Sequence, residues 1–335
     1  MLKTSEVLQD SFGREHNYLR ISLTEKCNLR CTYCMPEEGV KLSPRNNLMT
    51  AQEIIDIATM FVKHGVNKIR LTGGEPLLRK DFSSILKGLS QLDVKLSLTT
   101  NAILVDQFIA DFKLYGIKDI NVSLDTLISE KFASITKRDQ FNRAYNNILL
   151  LLKEGFNLKL NVVLINNFNK DEIIDFIKLT KNNPINIRFI EFMPFDGNQW
   201  DKSKIVSQKE VLEKVDHYFG ADNNQTLPTE NNFTARNYQI RAYQGTYGII
   251  SSVSNPFCDS CNRIRLTANG KLKNCLFSGG ETDILSPFRE NQSIDKLIQQ
   301  TVFKKKAIRA GMDTMERLEN PKLHTKNRSM ITIGG

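Results

Sequence analysis

Tyr18-Leu-Arg-Ile-Ser-Leu-Thr-Glu-Lys-Cys-Asn-Leu-Arg-Cys-Thr-Tyr-Cys34 joins two patterns. Its first seven residues alternate: Arg20, Ser22 and Thr24 share one face of an extended strand, and Leu19, Ile21 and Leu23 the other. The strand then runs into Cys27, Cys31 and Cys34. Three thiolates this close are the usual ligands of an iron–sulfur cluster. A [4Fe–4S] cluster has four irons, so three cysteines leave one iron open to another ligand. Zinc, the competing reading, usually takes four ligands and prefers C-x2-C pairs.

Outward from this stretch the alternation repeats. Strands are expected near 18–24, 67–72, 94–100, 118–124, 157–165 and 186–193. Helices are expected from Thr50-Ala-Gln-Glu53, a capping box, to His64-Gly65, and near 81–91, 103–115, 139–154 and 170–182. Strand–helix alternation is the signature of a parallel sheet. Polar positions recur on one face of each strand: Lys68, Arg70 and Thr72; Ser97 and Thr99; Asn121, Ser123 and Asp125; Lys159 and Asn161; Glu191 and Met193. The apolar faces must meet the helices, so the polar faces meet each other. A packed barrel interior is dominated by branched apolar residues. This one is cationic and hydroxylated, which implies a wet binding cavity in an incomplete (β/α)6 barrel.

After Met193 the pattern changes. Ser207-Gln-Lys-Glu210 opens a helix ending near Gly220, residues 222–232 read as a loop, and short strands follow near 238–243 and 248–252. The expected division is 1–230 for the partial barrel and 231–335 for a C-terminal region. Cys258-Asp-Ser-Cys261 begins a second cysteine trio. Residues 263–275 read as a hairpin turning at Asn269-Gly270 in a type I′ turn. Pairing Ala268 with Lys271 sets Cys275 opposite Ile264 and close to Cys261. No fourth cysteine remains, and none of the four histidines (16, 64, 217, 324) sits at knuckle spacing. A second open [4Fe–4S] cluster is expected.

Composition narrows the functional class. The chain has 335 residues, 40% hydrophobic and 25% charged, with six cysteines and a net charge of +9. No apolar run is long enough to span a membrane, and Met1 to Asp10 lacks the apolar stretch of a signal peptide. A cytoplasmic protein is expected, where cysteines seldom form structural disulfides. The charge calls for an anionic partner. No nucleic-acid-binding motif accompanies it, and Lys304-Lys305-Lys306 reads as a solvated helix face, so a small polyanion is the expected partner. Trp200 lies in a loop and receives no role.

Thr72-Gly-Gly-Glu-Pro76 follows a strand, and together with C-x3-C-x2-C it resembles the radical S-adenosylmethionine (SAM) enzymes. The chain as a whole resembles the GTP 3′,8-cyclases of molybdenum cofactor biosynthesis. The likeness is carried by Asp10-Ser-Phe-Gly-Arg14, residues 18–27, 68–76, 99–101, 121–125 and 187–193, Phe257-Cys-Asp-Ser-Cys-Asn-Arg-Ile-Arg265 and Gly334-Gly335. Ala102 departs from it, standing where a glycine is common. The resemblance implies that Tyr33, Gly74, Ser123 and Met193 contact SAM. It implies that Arg20, Arg70, Thr99, Lys159 and the run Arg263, Ile264, Arg265 contact GTP, with Lys68 and Arg188 as further contacts, and that Arg263 and Arg265 serve catalysis. It implies two [4Fe–4S] clusters and SAM as cofactors. A 5′-deoxyadenosyl radical would take hydrogen from C3′ of GTP, and the ribose radical would close onto C8. Expected partners are GTP, SAM, an electron donor, the next enzyme of molybdopterin synthesis and a second copy of the chain. The terminal Gly334-Gly335, anchored by Met330, Ile331 and Ile333, is expected to enter the barrel. A peptide-modifying radical-SAM enzyme with an auxiliary cluster and a non-enzymatic nucleic-acid-binding zinc protein are the alternative classes.

Overall fold

The computed structural model describes residues 7–334 apart from 37, 230, 231, 233, 325 and 326. Gly335, the tip of the expected tail, and the first six residues lie outside the described residues.

Six parallel strands carry the site: β1 (Tyr18–Ser22), β2 (Lys68–Thr72), β3 (Lys95–Thr100), β4 (Asp119–Ser123), β5 (Asn157–Leu164) and β6 (Asn186–Glu191). Between them run α1 (Ala51–Lys63), α2 (Phe82–Leu89), α3 (Ile109–Leu114), α4 (Ser129–Thr136), α5 (Phe141–Lys153) and α6 (Ile173–Lys178). The alternation read from the sequence holds: in β5, Leu158, Leu160, Val162 and Leu164 are buried while Lys159, Asn161 and Val163 are only partly so. The apolar faces pack on the helices in one continuous core that includes Leu19, Ile69, Leu98, Ile120 and Phe189 with Phe61, Phe82, Phe112 and Phe176. Burying such a side chain fully contributes about 1.5–3 kcal/mol.

The sheet is open, in the order β12-β11-β10-β1-β2-β3-β4-β5-β6-β9-β8-β7. The architecture is an incomplete TIM-like barrel with a C-terminal extension. After α7 (Gln208–Phe219) come β7 (Asn224–Thr226), β8 (Arg236–Ile240), β9 (Thr246–Ile250), β10 (Arg263–Leu266), β11 (Lys271–Lys273) and β12 (Thr282–Asp283). β9 pairs parallel to β6 and β10 parallel to β1. The C-terminal region therefore extends the same sheet at both edges. The last helices are α8 (Leu285–Arg289), α9 (Asp295–Phe303), α10 (Met315–Glu319), α11 (Pro321–His324) and α12 (Met330–Ile333).

Several expectations need correction. The helix expected over 103–115 is a 3-10 turn at Val105–Gln107 followed by the six-residue α3. It leaves β3 through Ala102, which is fully buried at φ +66°. That left-handed conformation favours glycine. The helix expected over 170–182 shortens likewise to a 3-10 turn and α6. α4 and β7 arise where the sequence reading had loops.

The hairpin register moves by one residue. Arg265 pairs with Lys273 and Leu266 with Leu272, so continuing the ladder sets Cys275 opposite Arg263, not Ile264. The turn is not type I′, which needs positive φ at both central residues. Here only Gly270 is positive, at +69°, and its N–H donates to the Thr267 carbonyl at 2.9 Å. This is a three-residue loop: a type I turn closed by a left-handed glycine. The buried Ala268 occupies the extra position.

Candidate active site

The loop after β1 is held by backbone. Gly74 N–H donates to the Thr24 carbonyl and Glu75 N–H to the Lys26 carbonyl, both at 2.8 Å. A Cβ on Gly74 would stand 2.3 Å from the Lys26 oxygen. Thr72-Gly-Gly-Glu-Pro76 thus clamps the first cysteine loop as well as facing the cavity. The Leu29 N–H donates to the Cys27 sulfur at 3.4 Å, and the Asn101 side-chain amide approaches it at 3.8 Å. Glu75 accepts from Leu77 N, Thr100 Oγ1 and Asn101 N. Burial lifts its carboxyl to about 7. Asp125 accepts from Val163 N at 2.8 Å, and burial, offset by hydrogen bonds from Tyr33 and Val163, lifts it to about 6. Burial raises the Cys27 thiol to about 11 and, with Cys27 and Asp125 beside it, the Cys34 thiol to about 12.

The second trio is anchored differently. Cys261 N–H donates to the Cys258 carbonyl at 3.1 Å, closing a tight knuckle. Arg14, paired with Asp10 at 2.6 Å, reaches the Cys258 carbonyl at 2.7 Å and the Ala307 and Lys306 carbonyls. Lys305 is not on a solvated face as expected. It is 3% exposed, and its ammonium donates to the Cys261 sulfur at 3.2 Å and the Arg263 carbonyl at 2.8 Å. Its neighbours Lys304 and Lys306 are exposed. Burial raises the Cys261 thiol, but Arg263 and Lys305 outweigh it and bring the group to about 6.

Both trios line one cavity of about 320 Å³, together with Tyr33, Gly74, Ser123, Met193, Arg20, Thr99, Arg188, Arg263 and Arg265. Arg70, Lys159 and Lys68 are not among its lining residues. Arg70 is 4% exposed, bonded to the Tyr18 hydroxyl, the Leu98 carbonyl at 3.0 Å and Thr99 Oγ1 at 3.4 Å. Tyr18 lies within a cationic nest, with Lys68, Arg20 and Arg70 at 5.0, 5.5 and 6.0 Å from its ring. Burial opposes ionisation of its phenol, but Arg70 and Arg20 bring it down to about 7. Burial, then Arg188, lowers Lys159 to about 8. Ile264 is fully buried with its side chain in the helix-facing core, leaving its main chain alone for a ligand.

Register explains the charge. Arg265 pairs with Arg20, and Arg20 with Arg70, across three adjacent strands. Like charges directly opposite one another destabilise a sheet. Arg20 Nε, Asn121 Oδ1, Asn161 Oδ1 and Arg309 Nε are buried without hydrogen-bond partners. Leaving such groups unpaired costs about 1–3 kcal/mol each, more for charged ones. The three residues that line the cavity beside Arg309 (Arg20, Asn121, Asn161) bring it unspent donors and acceptors. Sequence reasoning placed both asparagines on the cavity side without a role. It missed Arg309, which no local pattern marks.

The tail residues also reach this wall. Ile331 and Ile333 are buried, Met330 lines the cavity, and the Gly334 carbonyl accepts from Arg265. A Cβ on Gly334 would meet Thr72 Oγ1 at 2.6 Å. Trp200 packs beside Val253, Phe277, Met312 and Leu318 and donates from Nε1 to the Phe192 carbonyl at 2.8 Å.

All six cysteines are free. Among the described residues no three His, Cys, Asp or Glu side chains are arranged to hold a single metal ion. The donor set, two all-thiol trios facing a common cavity, fits polynuclear iron–sulfur clusters.

Residues 21–180 match the family described as Radical SAM superfamily, and residues 185–310 the one described as Molybdenum Cofactor Synthesis C. The chain is 45% identical to the mitochondrial GTP 3′,8-cyclase of Arabidopsis thaliana, covering 99% of this chain and 84% of that one. It is 37% identical to the GTP 3′,8-cyclase of Peptoclostridium acidaminophilum over the full length of both. The chain belongs to the GTP 3′,8-cyclase family. Another relative is human molybdenum cofactor biosynthesis protein 1, 44% identical over 98% of this chain. The chain spans 51% of the length of that relative and of its mouse counterpart. The fold is shared with Streptococcus suis SuiB bound to S-adenosylmethionine, at a TM-score of 0.56 and 16% identity over 85% of this chain and 67% of that one. Within the cyclase family frame, the first cysteine trio and the glycine clamp fall inside the radical-SAM match. The knuckle and the Arg263–Arg265 strand fall inside the second match, which ends at residue 310.

Proposed function

We propose that the chain is a radical-SAM GTP 3′,8-cyclase, a lyase-type enzyme converting GTP to (8S)-3′,8-cyclo-7,8-dihydroguanosine 5′-triphosphate for molybdenum cofactor synthesis. The observation that carries this is the in-register row Arg265–Arg20–Arg70 between two cysteine trios. Such a row is uncomfortable alone and becomes favourable around a triphosphate. Each charge-assisted hydrogen bond contributes about 1.5–3 kcal/mol.

When bound, a reduced [4Fe–4S] cluster on Cys27, Cys31 and Cys34 supplies the single electron that cleaves SAM. The protein's own part is placement. Gly73 and Gly74 let backbone pass close to the cysteine loop, and Tyr33, Ser123 and Met193 line the SAM end of the cavity. Arg20, Arg263, Arg265 and Thr99 line the GTP end, with Arg70 and Lys159 behind them supplying positive potential. Cys258, Cys261 and Cys275 would hold the second cluster at that end. Binding iron must displace the protons that burial holds on Cys27 and Cys34. Phe277, backed by the small apolar cluster of Val253, Met312 and Leu318, gives the cavity an apolar wall.

An electron donor, the next enzyme of the pathway and a second copy of the chain are the proposed partners. The free cysteines suit a reducing compartment such as the cytoplasm. Among the described residues no helix is long and apolar enough to cross a membrane. The test is anaerobic incubation with SAM, dithionite and GTP, followed by mass analysis. A cyclised triphosphate is expected. SAM cleavage that responds to added peptides and not to GTP would instead indicate a peptide-modifying enzyme.

A further inference from the structure

Lys305 is a buried cation with no part in the proposed reaction. It leaves the end of α9, between exposed neighbours, and turns inward to line the cavity. Burying a lysine costs the side chain its hydration and is rarely seen without a partner. Its two recorded acceptors are the Cys261 sulfur at 3.2 Å and the Arg263 carbonyl at 2.8 Å. Of these two acceptors, only the Cys261 sulfur can carry a full negative charge.

The segment is fixed from outside. Arg14 bridges the Cys258 carbonyl to the Lys306 and Ala307 carbonyls, tying the cysteine knuckle to the main chain that carries Lys305. The Lys305 N–H closes on Val302 at 3.0 Å. Lysine, knuckle and N-terminal hook therefore move as one unit.

We propose that Lys305 is a positioning residue for the C-terminal cluster: its ammonium orients the Cys261 thiolate and withdraws charge from that sulfur, making this cluster easier to reduce. The proposal rests on the reading that Cys258, Cys261 and Cys275 hold a [4Fe–4S] cluster. Hydrogen bonds to cluster sulfurs are among the factors that set reduction potential, and partners behind a ligand tune the metal further. A purely structural lysine would serve through the Arg263 carbonyl and through its volume.

The experiment is a redox titration of the anaerobic full-length chain followed by electron paramagnetic resonance, on wild type, Lys305→Met and Lys305→Arg. SAM marks the N-terminal cluster, since only that cluster's signal shifts on its addition. In Lys305→Met the midpoint of the SAM-insensitive cluster should fall, that of the SAM-sensitive cluster should stay, and Lys305→Arg should recover most of the change. Selective loss of the second cluster's iron in Lys305→Met but not in Lys305→Arg supports the same role, because the charge and not the volume separates them. An unchanged midpoint in Lys305→Met, or equal effects in both variants, overturns the proposal. Wild-type protein with about four irons per chain instead of about eight would remove the underlying cluster reading, and is distinguishable by iron assay alone.

Discussion

The two cysteine trios face one cavity, yet their surroundings carry opposite charge. Around Cys27, Cys31 and Cys34 burial, joined by the buried carboxyls Asp125 and Glu75, pushes the thiols up, with Arg30 opposing them at Cys27. Around Cys261 stand Lys305 and Arg263, and beside Cys258 the Arg309 guanidinium. Negative neighbours oppose adding an electron to a cluster, and positive neighbours favour it. The difference teaches that similar ligand trios are given different work by what stands behind them. The first has carboxyls behind its sulfurs where the second has cations.

The largest effect should come from removing the trios themselves. Replacing Cys27, Cys31 and Cys34 by Ala should take SAM cleavage to the detection floor and leave about four irons per chain by ligand arithmetic. Replacing Cys258, Cys261 and Cys275 should preserve SAM cleavage and stop cyclisation. Equal loss of both activities from either set would erase the distinction between the regions.

The charge difference is sharpened next. Arg20→Ala or Arg265→Ala should weaken GTP binding ~10- to 150-fold, the equivalent of about 1.5–3 kcal/mol, with SAM binding little changed. Calorimetry with each ligand separates the two.

A smaller effect is expected at the tail. Gly334 has φ +77° and no room for a Cβ beside Thr72. Gly334→Ala should therefore dislodge the carbonyl that Arg265 holds, for a roughly tenfold loss of cyclisation, since left-handed backbone costs an L-residue about 1–2 kcal/mol. SAM cleavage without GTP should be unaffected, and unchanged cyclisation would reduce the tail to packing.

Lys159 adds a pH dependence. Burial and Arg188 hold it at about 8 in the folded protein, below its ordinary 10.5. Bound triphosphate favours the charged form and raises that value. GTP affinity should then be flat below pH 8 and fall by up to about tenfold per unit above it. Lys159→Arg, which stays charged, should flatten the profile. A profile unaltered by that change would assign the loss to another group.

The smallest effect serves as a control outside the cavity lining. Thr50 and Glu53 cap α1 reciprocally, at 3.2 and 2.7 Å. Thr50→Ala should cost about 1 kcal/mol of stability in a denaturant titration, with cluster content and activity retained.

The difference between the trios was only half legible in the sequence. Period-two alternation placed Arg20, Thr99, Ser123 and Met193 on the cavity side because each strand is local and its two faces contrast in polarity. Cysteine spacing located both trios for the same reason. Lys305 was misread because a run of three lysines looks solvated, and its burial depends on Arg14 hooking the chain from 292 residues away. The hairpin slipped by one because Asn-Gly favours a two-residue turn, while burial of Ala268 selects the longer one. α4 was missed for want of a capping signal: Ile128 makes no side-chain cap. Nothing local announced that β10 would lie beside β1.

That last pairing bears on how the protein is made. β1 has β2 on one side as soon as Thr72 is synthesised, but its other neighbour, β10, ends at Leu266. At ~5–20 residues per second the ribosome takes roughly 10–40 s to cover that interval. Throughout it the strand leading into the first cysteines has a bare hydrogen-bonding edge, and so does β6 until β9 arrives. Exposed edges invite pairing with other chains. The nascent protein thus passes through a window in which its first cysteine loop is open to cluster delivery and its sheet to misassembly. Ribosome-bound chains stopped at residue 230 should be more prone to aggregation, and more accessible to thiol reagents at Cys27, than chains released at full length.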